Sequence, residues 1–233
     1  MVGTLRIEDL VGEKRSFFSE YFHRRPLLRV GAVADRLDEF LSSAQLRHDV
    51  VATVGFTSDH LRLVKEGKDV ARGSFTLPVG RTEMLIPAEV DAQLGAGATL
   101  ICRHVDRFLP SMRRLADGIV RSFACQSEVI AFLTPAETHA LAPHSDADDV
   151  IVVHLEGMKD WKVWDTPTTD SDSRSAYDLA ELGTPLLDVT LRPGDILYLP
   201  AQAPHFAAAP QRTSLHVSVT IEQRRCEVTP AMA

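Results

Sequence analysis

The chain has 233 residues, 45% of them hydrophobic and 24% charged, with a net charge of −7 and a pI near 5.7. That is enough apolar side chain for one packed domain, and the acidic balance argues against direct binding to nucleic acid while suiting a cationic substrate. The three cysteines, Cys102, Cys125 and Cys226, have no metal-ligand spacing, and residues 1–30 hold no long apolar run. The expectations are a reducing cytoplasm, no secretory signal and no membrane span.

Residues 1–50 read as largely helical. Leu10-Val11 and Phe17-Phe18 to Tyr21-Phe22 recur at helical spacing, and Arg25-Pro26 ends that run, because the residue before a proline is pushed out of the α region. Leu27 to Val30 reads as a short strand and Ala32 to Leu46 as an amphipathic helix with Leu37, Phe40 and Leu41 in its stripe. Val50–Val54, Leu61–Val64 and Gly73–Pro78 are β-like, Asp91–Leu94 is one helical turn, and Ala98–Cys102 is a buried strand. His48, His60 and His104 read as surface or packing residues. The strongest helix spans 105–125. Val105, Phe108, Leu109, Met112, Leu115, Ile119, Val120 and Phe123 form its stripe, and Pro110 stands near its start, where proline is best tolerated.

From Glu128 the chain becomes β-rich. Val129–Thr134 is a strand, and Pro135–Pro143 is a loop that also holds His139. Val150–Leu155 and Lys159–Trp164 flank Glu156-Gly157-Met158 and read as a hairpin. Asp165–Pro185 is a polar loop with a short helix near Ala176–Leu182, and Leu186–Leu191 is a strand. Ser214–Thr220 alternates strictly and closes a barrel. The expected organisation is a helical and β region over 1–125, a barrel over 126–222 and a tail over 223–233, together one structural domain.

Two places stand out chemically. Ala142-Pro143-His144-Ser145-Asp146 sets a histidine and a carboxylate two residues apart, which on a strand share a face. His205 follows a Gly-Asp turn, a short strand and a second turn. A lone His-x-Asp is a weak signal, usually a solvated pair. Here the order matters: the pair opens a strand and the second histidine comes later, as in a double-stranded β-helix whose ligand sources face each other. Two imidazoles and one carboxylate form the facial triad of non-haem Fe(II) oxygenases.

Phe132-Leu133-Thr134-Pro135, Pro143-His144-Ser145-Asp146, Leu155 to Trp161 and Pro193 to Pro200 with His205 resemble the JmjC/cupin-4 family of Fe(II)- and 2-oxoglutarate-dependent oxygenases, of the ribosomal-oxygenase type. Phe17-Phe18 to Leu28 and Gly95 to Leu100 resemble it too, so the similarity covers most of residues 15–222. It implies a mainly β fold with flanking helices, a double-stranded β-helix of the jelly-roll or cupin kind. It also implies Fe(II) held by His144, Asp146 and His205, with 2-oxoglutarate anchored by Lys159. Thr134 matches the threonine of the family's Leu-Thr-Pro turn as a further donor to that co-substrate. Trp161 and Val163 share the face of Lys159, which favours its burial, whereas Lys162 points the other way. Ser214, His216 and Ser218 share one face of the last strand. Ser214 and His216, with His154, are candidate substrate contacts. The chain departs from many relatives at Ile130 and Phe132, where Asn and Tyr are usual, at His154, usually Gln, and at Ser145, usually aromatic. Relatives of this type continue into dimerisation and winged-helix domains with no counterpart in the matching stretches, so the oligomeric state stays open.

The expected activity is hydroxylation, using O2, of an amino-acid side chain in a protein or peptide. The alternatives are a tailoring hydroxylase acting on a free amino acid or small natural product, and a non-catalytic cupin-type metal- or ligand-binding module.

Overall fold

The computed structural model describes residues 5–53, 57–166 and 176–222. Strand β1 is Leu27–Arg29, β2 Leu61–Lys65, β3 Lys68–Asp69, β4 Thr76–Val79, β5 Thr82–Leu85, β6 Thr99–Cys102 and β7 Val129–Thr134. Then come β8 (Thr138–His139), β9 (Asp149–Glu156), β10 (Lys159–Val163), β11 (Leu187–Leu191), β12 (Ile196–Leu199), β13 (His205–Ala209) and β14 (Ser214–Ile221). An eight-stranded sheet runs in the order β1-β12-β9-β14-β7-β6-β2-β3 and a four-stranded sheet in the order β11-β10-β13-β8. The two face each other as a double-stranded β-helix. Strands from the first 125 residues extend the sheet that β7, β9, β12 and β14 begin. β14 lies in the middle of it, between β9 and β7.

Strand alternation builds two interiors. Leu215, Val217 and Val219 of β14, Val129, Ala131 and Leu133 of β7, and Ile151 and Val153 of β9 face outward into a large apolar cluster. Met112, Leu115, Ala116, Ile119 and Phe123 of the helix Pro110–Phe123 cover that cluster, so this helix packs outside the barrel, with Pro110 in its first turn. The stripe's Val120 is 39% exposed. Between the sheets, Val150, Val152, Trp161, Val163, Leu191, Leu197 and Leu199 fill one part of the interior. Tyr198 ties β12 to β9 by donating to the buried Asp149 carboxylate, which also meets His23 Nδ1 at 2.8 Å. Burial and that carboxylate push the Tyr198 phenol up, keeping it protonated.

Several expectations fail for identifiable reasons. Residues 5–50 form short pieces, Ile7–Val11, Lys14–Ser16 and Phe17–Tyr21, broken at Gly12. Ala32–Leu46 is not one helix. A 3-10 stretch, Ala34–Glu39, is followed by the turns Ser43–Gln45 and Leu46–Val50. The Arg36 side chain is drawn to Asp9 at 2.8 Å and Glu39 at 2.6 Å, and its backbone leaves the helical region at φ −130°. Val50 ends the helical segment Leu46–Val50, residues 51–53 are turn and bend rather than strand, and Val54 lies outside the described residues. Gly73-Ser74 belongs to a 3-10 turn before β4. The single turn at Asp91–Leu94 is part of a longer helix, Pro87–Gly95. Residues 176–182 hold no helix; Ala176 bridges to His144, and the Asp178 side chain accepts from Ala180 N instead. The polar stretch 167–175 lies outside the described residues.

The largest correction concerns β9 and β10, which do not pair as a hairpin. β9 already has β12 and β14 on its two edges, so β10 crosses to the other sheet and pairs with β11 and β13. The corner passes against the Thr213-Ser214 backbone. Gly157 sits there at φ +69°, and a Cβ would stand 2.1 Å from Thr213 O. Strain at that φ and the overlap both oppose a side chain. Gly157→Ala should therefore destabilise the protein by about 2–5 kcal/mol, seen as a lower urea midpoint with an unchanged slope. A loss under about 0.5 kcal/mol would show that the corner is slack.

Candidate active site

One backbone bridge assembles the metal-type ligands. His144 N donates to His205 O at 3.0 Å and His205 N donates to His144 O at 2.8 Å. The two rings thereby stand with centroids 4.3 Å apart. The His-x-Asp pair does not open a strand as expected. His144 sits in this isolated bridge, Asp146 lies in the loop, and β9 starts only at Asp149. Gln202 N donates to Asp146 O at 2.8 Å and holds the loop in place. The carboxylate comes to 3.8 Å from His144 Nε2 and 3.6 Å from His205 Nε2. One ligand atom from each of the three residues lies within 4.8 Å of the others, and no comparable His, Cys, Asp or Glu group occurs elsewhere among the described residues.

The backbone also selects the tautomers. His144 Nδ1 lies 2.8 Å from Ala142 O, and His205 Nδ1 lies 3.0 Å from Ala203 O. A carbonyl only accepts, so each Nδ1 carries a hydrogen, and each Nε2, turned toward Asp146, is the nitrogen placed to bind a metal. Two imidazoles and one carboxylate beside a cavity suit a divalent transition metal.

The cavity has a volume of about 750 Å³ and runs between the sheets. Its open end is charged: Arg103 donates to Glu128 at 2.8 Å, and His104 Nδ1 lies 3.0 Å from the same carboxylate. His104, expected to be a surface or packing residue, is thus a polar neighbour of Glu128 at the rim. Toward the middle, Ile101, Ile130, Ala140 and Leu141 give an apolar wall.

The closed end gathers the remaining candidates. Lys159, 2% exposed, donates from Nζ to Thr134 Oγ1 at 2.9 Å. None of the salt bridges among the described residues involves it, and burial pushes its ammonium down to about 7. Thr134 pairs across the sheet with Ser214, and His216 pairs with Phe132 on one side and His154 on the other. The His216 ring stacks flat on Phe132 at 4.7 Å and meets Trp161 edge-on at 5.5 Å. Burial holds His154 down to about 4 and His216 well below the usual imidazole range, so both are neutral at neutral pH. Ser214 Oγ, His154 Nδ1, His216 Nδ1 and Trp161 Nε1 are buried without hydrogen-bond partners. Such atoms are rare in folded proteins and point to a missing partner. A lone buried ammonium among them suits a small carboxylate.

The three expected ligands therefore converge on the cavity, and Lys159 and His216 line it further in, with Thr134 bonded to Lys159 and Ser214 and His154 opposite Thr134 and His216 in the sheet. Trp161 was not singled out as a polar contributor, although its place on the Lys159 face was readable. Its ring also stacks on His205 at 5.9 Å. Tyr177 is the other unanticipated neighbour. Its backbone N donates to Pro143 O at 2.9 Å, and its hydroxyl lies 3.3 Å from the buried Ser145 Oγ. Nothing in the polar loop's composition signals that contact.

Known proteins are similar to this chain. The bifunctional lysine-specific demethylase and histidyl-hydroxylase NO66 of Drosophila mojavensis is 33% identical over 154 residues, covering 64% of this chain and 17% of that protein. NO66 of Culex quinquefasciatus is 32% identical over 153 residues, covering 63% of this chain and 23% of its own. The chain thus spans less than a quarter of the length of these two relatives. Among solved structures, YcfD, a ribosomal oxygenase from Escherichia coli, superposes with a TM-score of 0.65 over 91% of this chain and 52% of its own, at 18% identity. A structure of YcfD in complex with cobalt and 2-oxoglutarate gives a TM-score of 0.63. At that identity the likeness is one of fold. The sequence profile of the JmjC domain matches residues 103–228, more than half of the chain, and the chain belongs to the JmjC domain family.

Proposed function

We propose that this protein is an Fe(II)- and 2-oxoglutarate-dependent oxygenase that hydroxylates a side chain of a protein or peptide. The observation that carries the reading is the pairing, in one cavity, of a His-Asp-His cluster with a lone buried ammonium beyond it. His144, Asp146 and His205 would hold the metal, and Lys159 with Thr134 would hold the far carboxylate of the co-substrate. β-register supports the spacing. Val163 pairs with His205, and Lys159 lies four residues further along β10, about 13 Å at the strand rise. A lysine side chain reaching back and a chelated five-carbon diacid together span that gap.

Bound iron with 2-oxoglutarate and O2 supplies the oxidising chemistry. The chain's own residues do the rest. The triad leaves adjacent positions open, the Ala142 and Ala203 carbonyls fix the ligand tautomers, and Trp161 and Phe132 keep water from the closed end. The apolar wall of Ile101, Ile130, Ala140 and Leu141 offers room for a target side chain between the triad and the rim. The names of the relatives, a histidyl-hydroxylase and a ribosomal oxygenase, support a protein or peptide substrate. The test is formation of succinate from 2-oxoglutarate by the Fe(II)-loaded protein, first alone and then with a peptide panel read for gain of one oxygen by mass. Iron-dependent succinate is expected even without substrate. Its absence, together with no binding of 2-oxoglutarate, would leave a metal-binding cupin module as the better reading.

A further inference from the structure

The two stretches that carry the metal-type ligands are tied to one buried carboxylate that does not line the cavity. Asp149, 2% exposed, opens β9 three residues after Asp146. Its Oδ1 accepts from the Tyr198 hydroxyl and, at 3.3 Å, from Ala201 N, while its Oδ2 stands 2.8 Å from His23 Nδ1. A carboxylate only accepts, so that Nδ1 carries a hydrogen. His23 N also donates to the Tyr198 hydroxyl at 2.9 Å, so one residue meets both members of the Tyr198–Asp149 pair. His23 does this at φ +58°, a left-handed backbone that residues other than glycine, asparagine and aspartate rarely adopt. The bonds from its N and Nδ1 hold it there.

From Ala201 the connection runs directly to the ligands. The next residue, Gln202, is also left-handed, at φ +65°, and its N donates to Asp146 O at 2.8 Å. The one after it, Ala203, presents the carbonyl that orients the His205 ring at 3.0 Å. One short turn thus positions both the carboxylate and an imidazole, and its first amide is held by Asp149. His23 itself is half-exposed, belongs to the segment before β1 and is not among the residues lining the cavity.

Resting on the metal-site reading above, we propose that His23 is a positioning residue of the metal centre, acting through Asp149 and the 201–203 turn on Asp146 and His205. Without the imidazole N–H, Asp149 Oδ2 loses its donor and the carboxylate turns toward water. Its bond to Ala201 N, already long at 3.3 Å, is the one that loosens. The turn relaxes with it, and the ligands lose the geometry that a metal requires. Groups that hold ligands in place change metal affinity by about 10–100-fold when removed.

The experiment uses the full chain and reads Mn(II) affinity by calorimetry, the visible absorption of the Co(II)-loaded protein, and stability in urea. His23→Ala should weaken Mn(II) about tenfold and change the Co(II) bands, which report ligand geometry. His23→Asn should restore both, because asparagine carries an N–H in the place of Nδ1 and tolerates the left-handed backbone. Ile119→Val, in the helix Pro110–Phe123 outside the barrel, is the control for stability alone. It should lower the urea midpoint and leave the Mn(II) affinity and the Co(II) bands unchanged. A His23→Ala protein that binds Mn(II) like the wild type would overturn the assignment while the metal site stands. So would a His23→Asn protein no better than His23→Ala, or an Ile119→Val protein that loses Mn(II) affinity in the same proportion to its stability. Failure of the wild-type protein to bind Mn(II) would overturn the metal site and the positioning role together.

Discussion

An Asp146→Asn variant should gain no thermal stability from Mn(II) or Fe(II), whereas the wild-type protein should gain about 2.7 kcal/mol at a metal concentration about 100 times its Kd. For a domain of this size that is a rise in melting temperature of about 5–10 °C. The substitution is chosen for its economy. It removes one negative charge and one ligand oxygen while keeping volume and shape, and it leaves the bond from Gln202 N to the Asp146 backbone carbonyl in place. The two imidazoles remain, pointed by Ala142 O and Ala203 O. Two imidazole nitrogens without the carboxylate bring no negative charge to the metal, so binding should fall steeply. His205→Ala should lose the metal shift as well, but it also removes the ring stacked on Trp161, so its apoprotein should melt lower. A metal shift in Asp146→Asn equal to the wild-type shift would place the metal elsewhere.

How much of this was legible in the sequence depended on whether a local pattern decided the outcome. β14 was readable because Ser214, His216 and Ser218 alternate with Leu215, Val217 and Val219, and only one register buries the apolar set. The Pro110–Phe123 helix was readable for the same reason at a period of 3.6. The β9–β10 corner was not. Gly157 satisfies a hairpin turn and a sheet-to-sheet crossing equally, and what decides between them is that β12 and β14 occupy both edges of β9. Those strands lie some 40 to 70 residues away. The stretch from Ala32 to Leu46 has a helical stripe, yet Arg36 is drawn off by Asp9 and Glu39. In the candidate site, His144, Asp146 and His205 could be named from residue type and order. What fixes their geometry is one backbone bridge and two carbonyls at positions i−2, features that leave no mark on side-chain identity. The lone ammonium was anticipated from the resemblance, but its unpartnered neighbours on β14 and β9 appear only when three strands are brought together.

Lys159→Met should stabilise the apoprotein and abolish the response to 2-oxoglutarate, two effects of opposite sign from one substitution. The lysine is buried, bonded only to a neutral hydroxyl, and pushed from the ordinary 10.5 down to about 7. The folded state therefore disfavours the charged form. Between pH 10.5 and about 7 the unfolded chain holds the proton more tightly than the folded one, so stability falls as pH falls through that window. Below about 7 the full penalty, on the order of 3–5 kcal/mol for such a shift, stays in place. The groups facing the ammonium do not reverse this: Thr134 on β7 is neutral, and His154 on β9 and His216 on β14 are themselves held neutral by burial. Their own protonation adds a second loss of stability, for His154 as pH falls from 6.5 to about 4. Met fills a similar volume without the charge, so the apoprotein should melt higher at pH 6 and lose its slope between pH 7 and 10. The same charge is what a distal carboxylate needs. Truncating a buried ion pair costs about 3–5 kcal/mol, so 2-oxoglutarate should bind the variant at least about 100-fold more weakly, while the Mn(II) shift survives. In the wild-type protein the ligand favours protonated lysine, so affinity for 2-oxoglutarate should decline as pH rises above about 7. A Lys159→Met protein that still binds 2-oxoglutarate within a few-fold of wild type would remove Lys159 from the site. One whose apoprotein melts lower at pH 6 would show that the buried ammonium is stabilised by more than the Thr134 hydroxyl.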